Sequence, residues 1–187
     1  HKWNITLIVG NSGSGKSTIL KQLGEIIEPK YDMSKSCISQ FPMLSEDNVC
    51  DIFQSVGLSS VPTWLHTPNQ LSNGEKARLD LAYSIIHTKD GEPILVDEFT
   101  SVVNRNVALS MSYALQRYLR NEDKKAIICS CHFDIIETLS PDYIINLNFQ
   151  NDNKVEIEHY IYTNSEEYKT CKRINENETL TKNIKIN

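Results

Sequence analysis

Three stretches of the sequence carry residues able to handle phosphate. In the first, Gly10-Asn11-Ser12-Gly13-Ser14-Gly15-Lys16-Ser17-Thr18, the spacing Gly-x-x-x-x-Gly-Lys-Ser follows directly on the apolar run Ile5 to Val9. It then opens into Ser17-Thr-Ile-Leu-Lys-Gln-Leu, a helix-forming run. Strand, glycine-rich loop and helix in that order are the context a phosphate-binding loop needs. Gly10, Gly13 and Gly15 permit backbone angles that turn successive N–H groups onto phosphate oxygens. The start of the helix adds the positive end of its dipole. In that setting Lys16 reaches the β- and γ-phosphates of a nucleotide, and the Ser17 hydroxyl takes a position on Mg²⁺.

The second stretch is Asp97-Glu98, closing the apolar run Pro93-Ile-Leu-Val, and the third is His132, closing Lys125-Ala-Ile-Ile-Cys-Ser-Cys. Taken singly, each has a plain alternative: two solvated acids, or a structural histidine. In a parallel α/β sheet, however, the C-terminal ends of strands gather on one edge, where ligands bind. There Asp97 can hold Mg²⁺ and Glu98 can polarise an attacking water.

The elements that must position these residues follow from the pattern. Gly24 and Pro29 close the helix after the glycine loop, and Lys35-Ser-Cys-Ile-Ser-Gln40 reads as a strand ending in glutamine. Asp47 to Gln54 reads as a helix, and Gly57 to Pro68 as loop. From Ser72 a helix is expected, with serine at the N-cap and Glu75 three residues on. Val103 to Leu119 reads as an amphipathic helix, Tyr143 to Leu147 as a strand, and the alternating Val155 to Tyr162 as an edge strand. From Asn164 the chain turns polar, and a surface helix or loosely held tail is expected.

With 187 residues, 40% of them hydrophobic, one substantial core is the expectation. A net charge of −5 argues against a broad basic surface for nucleic acid. Five cysteines without framework spacing fit a reducing cytoplasm. Cys129-Ser-Cys131-His132 lacks the second ligand pair that a zinc site needs. No apolar stretch approaches the roughly 20 residues that span a membrane. The chain starts at His1 and enters its first strand at once, as expected of a piece of a longer protein.

The order of these motifs resembles the nucleotide-binding domain of the ATP-binding-cassette (ABC) superfamily over about residues 4–150. Leu71-Ser-Asn-Gly-Glu75 resembles the signature LSGGQ, Gln40 the Q-loop glutamine, Thr100-Ser-Val-Val-Asn104 the D-loop, and His132 the switch histidine. The resemblance implies a three-layer α/β P-loop fold with a reduced helical subdomain over about 41–90 and a truncated N-terminal β-subdomain. The ATPase domain would cover 1–163 and a polar extension 164–187. It implies ATP and Mg²⁺ as ligands, with Ser17, Gln40 and Asp97 around the metal and Lys16, Glu98 and His132 in catalysis. It also implies a head-to-tail homodimer in which Ser72, Asn73 and Gly74 meet the γ-phosphate bound to the other chain.

The signature Ser-x-Gly-Glu-Lys-Ala is similar to those of chromosome-maintenance and DNA-repair ATPases. The run Asp97-Glu-Phe-Thr-Ser-Val-Val-Asn-Arg further resembles small soluble prokaryotic and phage cassette ATPases, some fused to a predicted acetyltransferase. A soluble ATPase working with nucleic acid or a fused partner domain is therefore one expectation. A transporter's nucleotide-binding subunit and a slow ATP-gated interaction module are the others. Asn73 stands where the family has glycine, and its tolerance of left-handed backbone suggests that the turn survives. Asn104 replaces the D-loop aspartate. Trp3 sits too near the glycine loop to stack on adenine and reads as core.

Overall fold

A computed structural model describes residues 3–147, 156–162 and 171–173. Its elements run β1 (Ile5–Val9), α1 (Lys16–Leu23), α2 (Glu46–Ser55), α3 (Val61–Leu65), α4 (Asn73–His87), β2 (Ile94–Val96), α5 (Arg105–Asn121), β3 (Ala126–Ser130), α6 (Ile136–Leu139), β4 (Tyr143–Asn146), β5 (Glu156–Tyr162) and β6 (Cys171–Arg173). The strands form one sheet in the order β2-β3-β1-β4-β5-β6. β1 lies parallel between β3 and β4, with Ile5 opposite Ala126 and Thr6 opposite Tyr143, and β2 pairs parallel with β3. β5 and β6 add antiparallel strands beyond β4.

Helices cover both faces of the sheet, which gives three layers. Ile5, Leu7 and Val9 of β1 join the larger core with Leu79, Ala82 and Ile85 of α4 and Leu115 and Leu119 of α5. Ile8 turns to the opposite face, where it meets Leu20 of α1 with Leu95, Ile127 and Cys129. β3 is buried along its whole length, as a strand covered on two faces must be. The helices over 41–90 do not form a separate core: Phe41, Phe53 and Trp64 belong to the same cluster as β1. Trp3 is half-buried against the α1-side core, with Lys125 Nζ 5.5 Å above its ring, in keeping with a packing role.

The N-terminal end of β1 is held by a buried ion pair. Asp142 accepts the backbone N–H groups of Asn4 and Ile5, each at 2.8 Å, and pairs with Arg120 at 3.1 Å. Arg120 also donates to the carbonyl of Ser140 at 2.6 Å. The connection ties β1, α5 and the start of β4 together at the end opposite the glycine loop.

Several expectations change. Lys35–Gln40 is not a strand; it is a turn ending in a 3₁₀ segment, Ile38–Gln40. β2 consequently pairs with β3 alone among the described strands. The loop expected over Gly57–Pro68 contains α3, whose Trp64 Nε1 donates to the carbonyl of Leu58 at 2.5 Å. The helix expected over Val103–Leu119 begins at Arg105 and runs to Asn121, because Asn104 Oδ1 caps it by accepting from Val107 N at 3.0 Å. β5 is not an edge strand, since Cys171–Arg173 pairs alongside it. The rest of the polar extension over 164–187 lies outside the described residues.

Candidate functional site

The glycine loop leaves β1 at Gly10 and enters α1 at Lys16. Gly13 and Gly15 have φ of +80° and +90°, the left-handed conformations for which glycine is suited. Gly10 is required for a different reason: a Cβ there would come within 2.5 Å of Ser14 Oγ. Lys16 curls back over the loop, donating from Nζ to the carbonyls of Gly10 at 2.6 Å and Asn11 at 2.8 Å. Among the described residues the buried Ser14 Oγ has no hydrogen-bond partner. A tight cradle holding an orphaned hydroxyl and a lysine folded over its rim fits an anionic ligand. Asn11, Ser12, Gly13 and Thr18 stand exposed along the same loop and helix start.

Strand pairing brings the second and third stretches beside the first. β2 and β1 flank β3, so Asp97-Glu98, the glycine loop and His132 emerge from adjacent parallel strands at their C-terminal ends. The thiol of Cys129 records how Lys16 and Asp97 converge. Burial pushes it up to about 12, the Asp97 carboxylate adds to the rise, and the Lys16 ammonium opposes it. Cys129 Sγ faces the Lys16 carbonyl at 3.7 Å. Among the described residues, no group of three His, Cys, Asp or Glu side chains is placed to hold a metal ion.

The turn after β2 is unusual. Glu98 has φ of +50° and Thr100 of +71°, left-handed values that cost a non-glycine residue energy. Asp97 Oδ1 accepts the N–H of Glu98 at 2.9 Å, and Ser101 N–H donates to the Glu98 carbonyl at 3.0 Å. The result exposes Glu98 and buries Phe99 and Thr100. Thr100 Oγ1 then sits 3.1 Å from His132 Nδ1. This contact was not legible in the residue types; Thr100 entered the sequence reading only as part of the D-loop pattern.

Ser72 is the N-cap of α4 within a full capping box, as expected. Glu75 N donates to Ser72 Oγ at 3.3 Å, and Ser72 N and Oγ donate to Glu75 Oε2 at 2.9 and 2.7 Å. These bonds, with a further one from Thr63, hold the Glu75 carboxyl below the usual glutamate range. Asn73 is the first helical residue of α4 and has no positive φ, so the left-handed turn allowed for is not used. Gly74 is needed for packing: a Cβ there would lie 3.3 Å from the Val102 carbonyl and 3.4 Å from Val103. The signature segment thus abuts the D-loop.

Gln40 is tied into the loop that precedes it. Its side-chain amide donates to the carbonyls of Asp32 at 2.8 Å, Lys35 at 3.1 Å and Ser36 at 3.3 Å, and its Oε1 accepts from Asp32 N at 2.9 Å. These bonds engage both ends of the amide in closing the 32–36 loop. Ser17 and Asp97 offer hard oxygen donors. That is a fitting set for Mg²⁺, which is bound through one or two carboxylates together with substrate phosphates and water.

No family model matches the chain. It is 28% identical over 181 aligned positions to an ATP-dependent lipid A-core flippase of Neisseria gonorrhoeae, covering 74% of this chain and 28% of that protein. It is 27% identical over 184 positions to the energy-coupling factor transporter ATP-binding protein EcfA1 of Listeria monocytogenes, covering 75% of this chain and 63% of that protein. The chain therefore spans little more than a quarter of the flippase. Among solved structures, a bacterial ABC transporter cassette in dimeric form matches with a TM-score of 0.59 and 16% identity, covering 79% of this chain and 82% of that one. In motif order, sequence relatives and fold, the chain is similar to ATPase domains of the ATP-binding-cassette type.

Proposed function

We propose that the chain hydrolyses ATP as one half of a head-to-tail homodimer, and that this cycle drives a membrane-transport partner. The observation that carries the catalytic reading is the emergence of Lys16, Asp97-Glu98 and His132 from three adjacent strand ends. Lys16 leaves the carbonyls of Gly10 and Asn11 to neutralise the β- and γ-phosphates, and the loop N–H groups hold the β-phosphate. Ser17 and Asp97 are the residues that would hold Mg²⁺, which neutralises charge on the triphosphate when bound. Glu98, exposed by its left-handed turn, takes a proton from water as the water oxygen bonds to the γ-phosphorus. The bond to the β–γ bridging oxygen breaks, leaving ADP and phosphate. His132 donates a hydrogen bond to the γ-phosphate.

Two features support a dimer. Ser72 and the helix start behind it offer N–H donors to an anion, beside a D-loop whose Val102 is 52% exposed. Phe133, next to His132, is 40% exposed. Apolar side chains open to water beside catalytic elements suit a face that closes on a second copy.

The partner reading rests on the relatives, which are transport proteins. It is consistent with exposed Met33 and Met43 on either side of Gln40 and with Val61 and Leu65 on α3. The kinship with DNA-maintenance ATPases suggested by the signature gains no support from these relatives. No helix among the described residues is long and apolar enough to cross a membrane. A cytoplasmic subunit attached to a separate membrane protein is the arrangement proposed.

Phosphate release from ATP with Mg²⁺, with and without duplex DNA, tests the reading. The expectation is turnover that DNA does not change. Turnover that appears only with DNA would replace the transport reading with a nucleic-acid one. No turnover under any condition would leave an ATP-gated binding module.

A further inference from the structure

We propose that Thr100 is a positioning residue that fixes the tautomer of His132 so that its Nε2 carries the proton. The proposal deepens the reading above, in which His132 donates to the γ-phosphate. Phosphate oxygens only accept hydrogen bonds, so a neutral histidine serves them only through an N–H. A neutral imidazole has one N–H, and the partner of one ring nitrogen decides where it sits. Thr100 Oγ1 lies 3.1 Å from Nδ1. When the hydroxyl donates to Nδ1, the proton is held on Nε2.

The surroundings show that this contact is built. Thr100 is only 5% exposed and holds a φ of +71°, which a β-branched residue seldom adopts. Such an outlier persists where its neighbours over-determine it. Here Ser130 Oγ donates to the Phe99 carbonyl at 3.1 Å and accepts from His132 N–H at 3.0 Å. Phe99 N–H donates to the Cys129 carbonyl at 2.9 Å. These bonds stitch the turn after β2 to the turn after β3 and fix the distance between Thr100 and His132. One strained turn therefore does two things: it exposes Glu98 for water and aims Thr100 at the histidine. Valine has the same β-branched shape and could hold the same backbone, but it has no hydroxyl to donate.

The test is nitrogen NMR of the histidine rings in the nucleotide-free protein, at a pH where the rings are neutral, with His132→Ala identifying the signal. The wild type should show the proton on Nε2. Thr100→Val should shift the population toward Nδ1–H, and Thr100→Ser should keep the wild-type state. Turnover of Thr100→Val should fall about tenfold in kcat with little change in KM, in line with one hydrogen bond, and Thr100→Ser should restore it. A wild-type ring protonated on Nδ1, or a Thr100→Val ring unchanged from wild type, would overturn the proposal. If Thr100→Val fails to fold, the wild-type tautomer still decides. Absent turnover in the wild type would count against the ATPase reading while leaving the tautomer result standing.

Discussion

Ser72 Oγ lies 2.7 Å from Glu75 Oε2, so in the free chain the signature serine is engaged by a carboxylate of its own helix. The same hydroxyl accepts from Glu75 N–H, making one group both helix cap and candidate phosphate contact. Ser72→Ala should cost about 1 kcal/mol of stability, the usual loss for a serine N-cap. The Glu75 contribution has a defined pH sign. Its folded-state carboxyl is depressed, so the stabilisation is present above the ordinary glutamate range and is lost as pH falls through the lower folded-state value. Melting curves of wild type and Glu75→Ala should therefore differ at neutral pH and converge in acid. A gap that does not close would show that Glu75 acts by packing alone.

Lys16→Ala should abolish nucleotide binding, because it removes the charge that the loop aims at the phosphates. Titration with a fluorescent ATP analogue reads this directly. Unchanged affinity would remove Lys16 from the site.

Asp142→Ala should lower stability by about 3 kcal/mol, since it strands Arg120 beside a buried strand end and frees two N–H groups of β1. Denaturant unfolding measures the loss. A change within experimental scatter would mean that solvent replaces the carboxylate there.

Duplex DNA should bind weakly and be released steeply as salt rises. A net charge of −5 leaves only local patches for phosphates, with Lys169, Lys172, Arg173, Lys182 and Lys185 toward the C-terminus as the candidates. Anisotropy titrations at several salt concentrations check this. Tight binding that ignores salt would contradict it.

What the residues made legible was the chemistry written in local backbone rules. The glycine loop, the Ser72 capping box and the apolar runs ending at Asp97 and His132 each depend on near neighbours in sequence. Lys35–Gln40 was misread as a strand because its centre is strand-like, while Asp32, Ser34 and Ser36 offer turn bonds that compete with a ladder. β5 was taken for an edge because its partner is only three residues long and lies in a polar stretch. Thr100 could not be found by type, since a positive φ at threonine runs against its own preference and is imposed by bonds from β3.

The most direct measurement of the central claim is the mass of Glu98→Gln in solution, by light scattering, with and without ATP and Mg²⁺. Glutamine keeps the size of the side chain but cannot take the proton from water, so ATP should persist and hold two chains together. The account predicts a shift from monomer to dimer that requires both ATP and Mg²⁺. Adding Ser72→Arg should cancel the shift by blocking the helix start that meets the partner's γ-phosphate. A Glu98→Gln protein that binds ATP yet stays monomeric at saturation would contradict the sandwich mechanism.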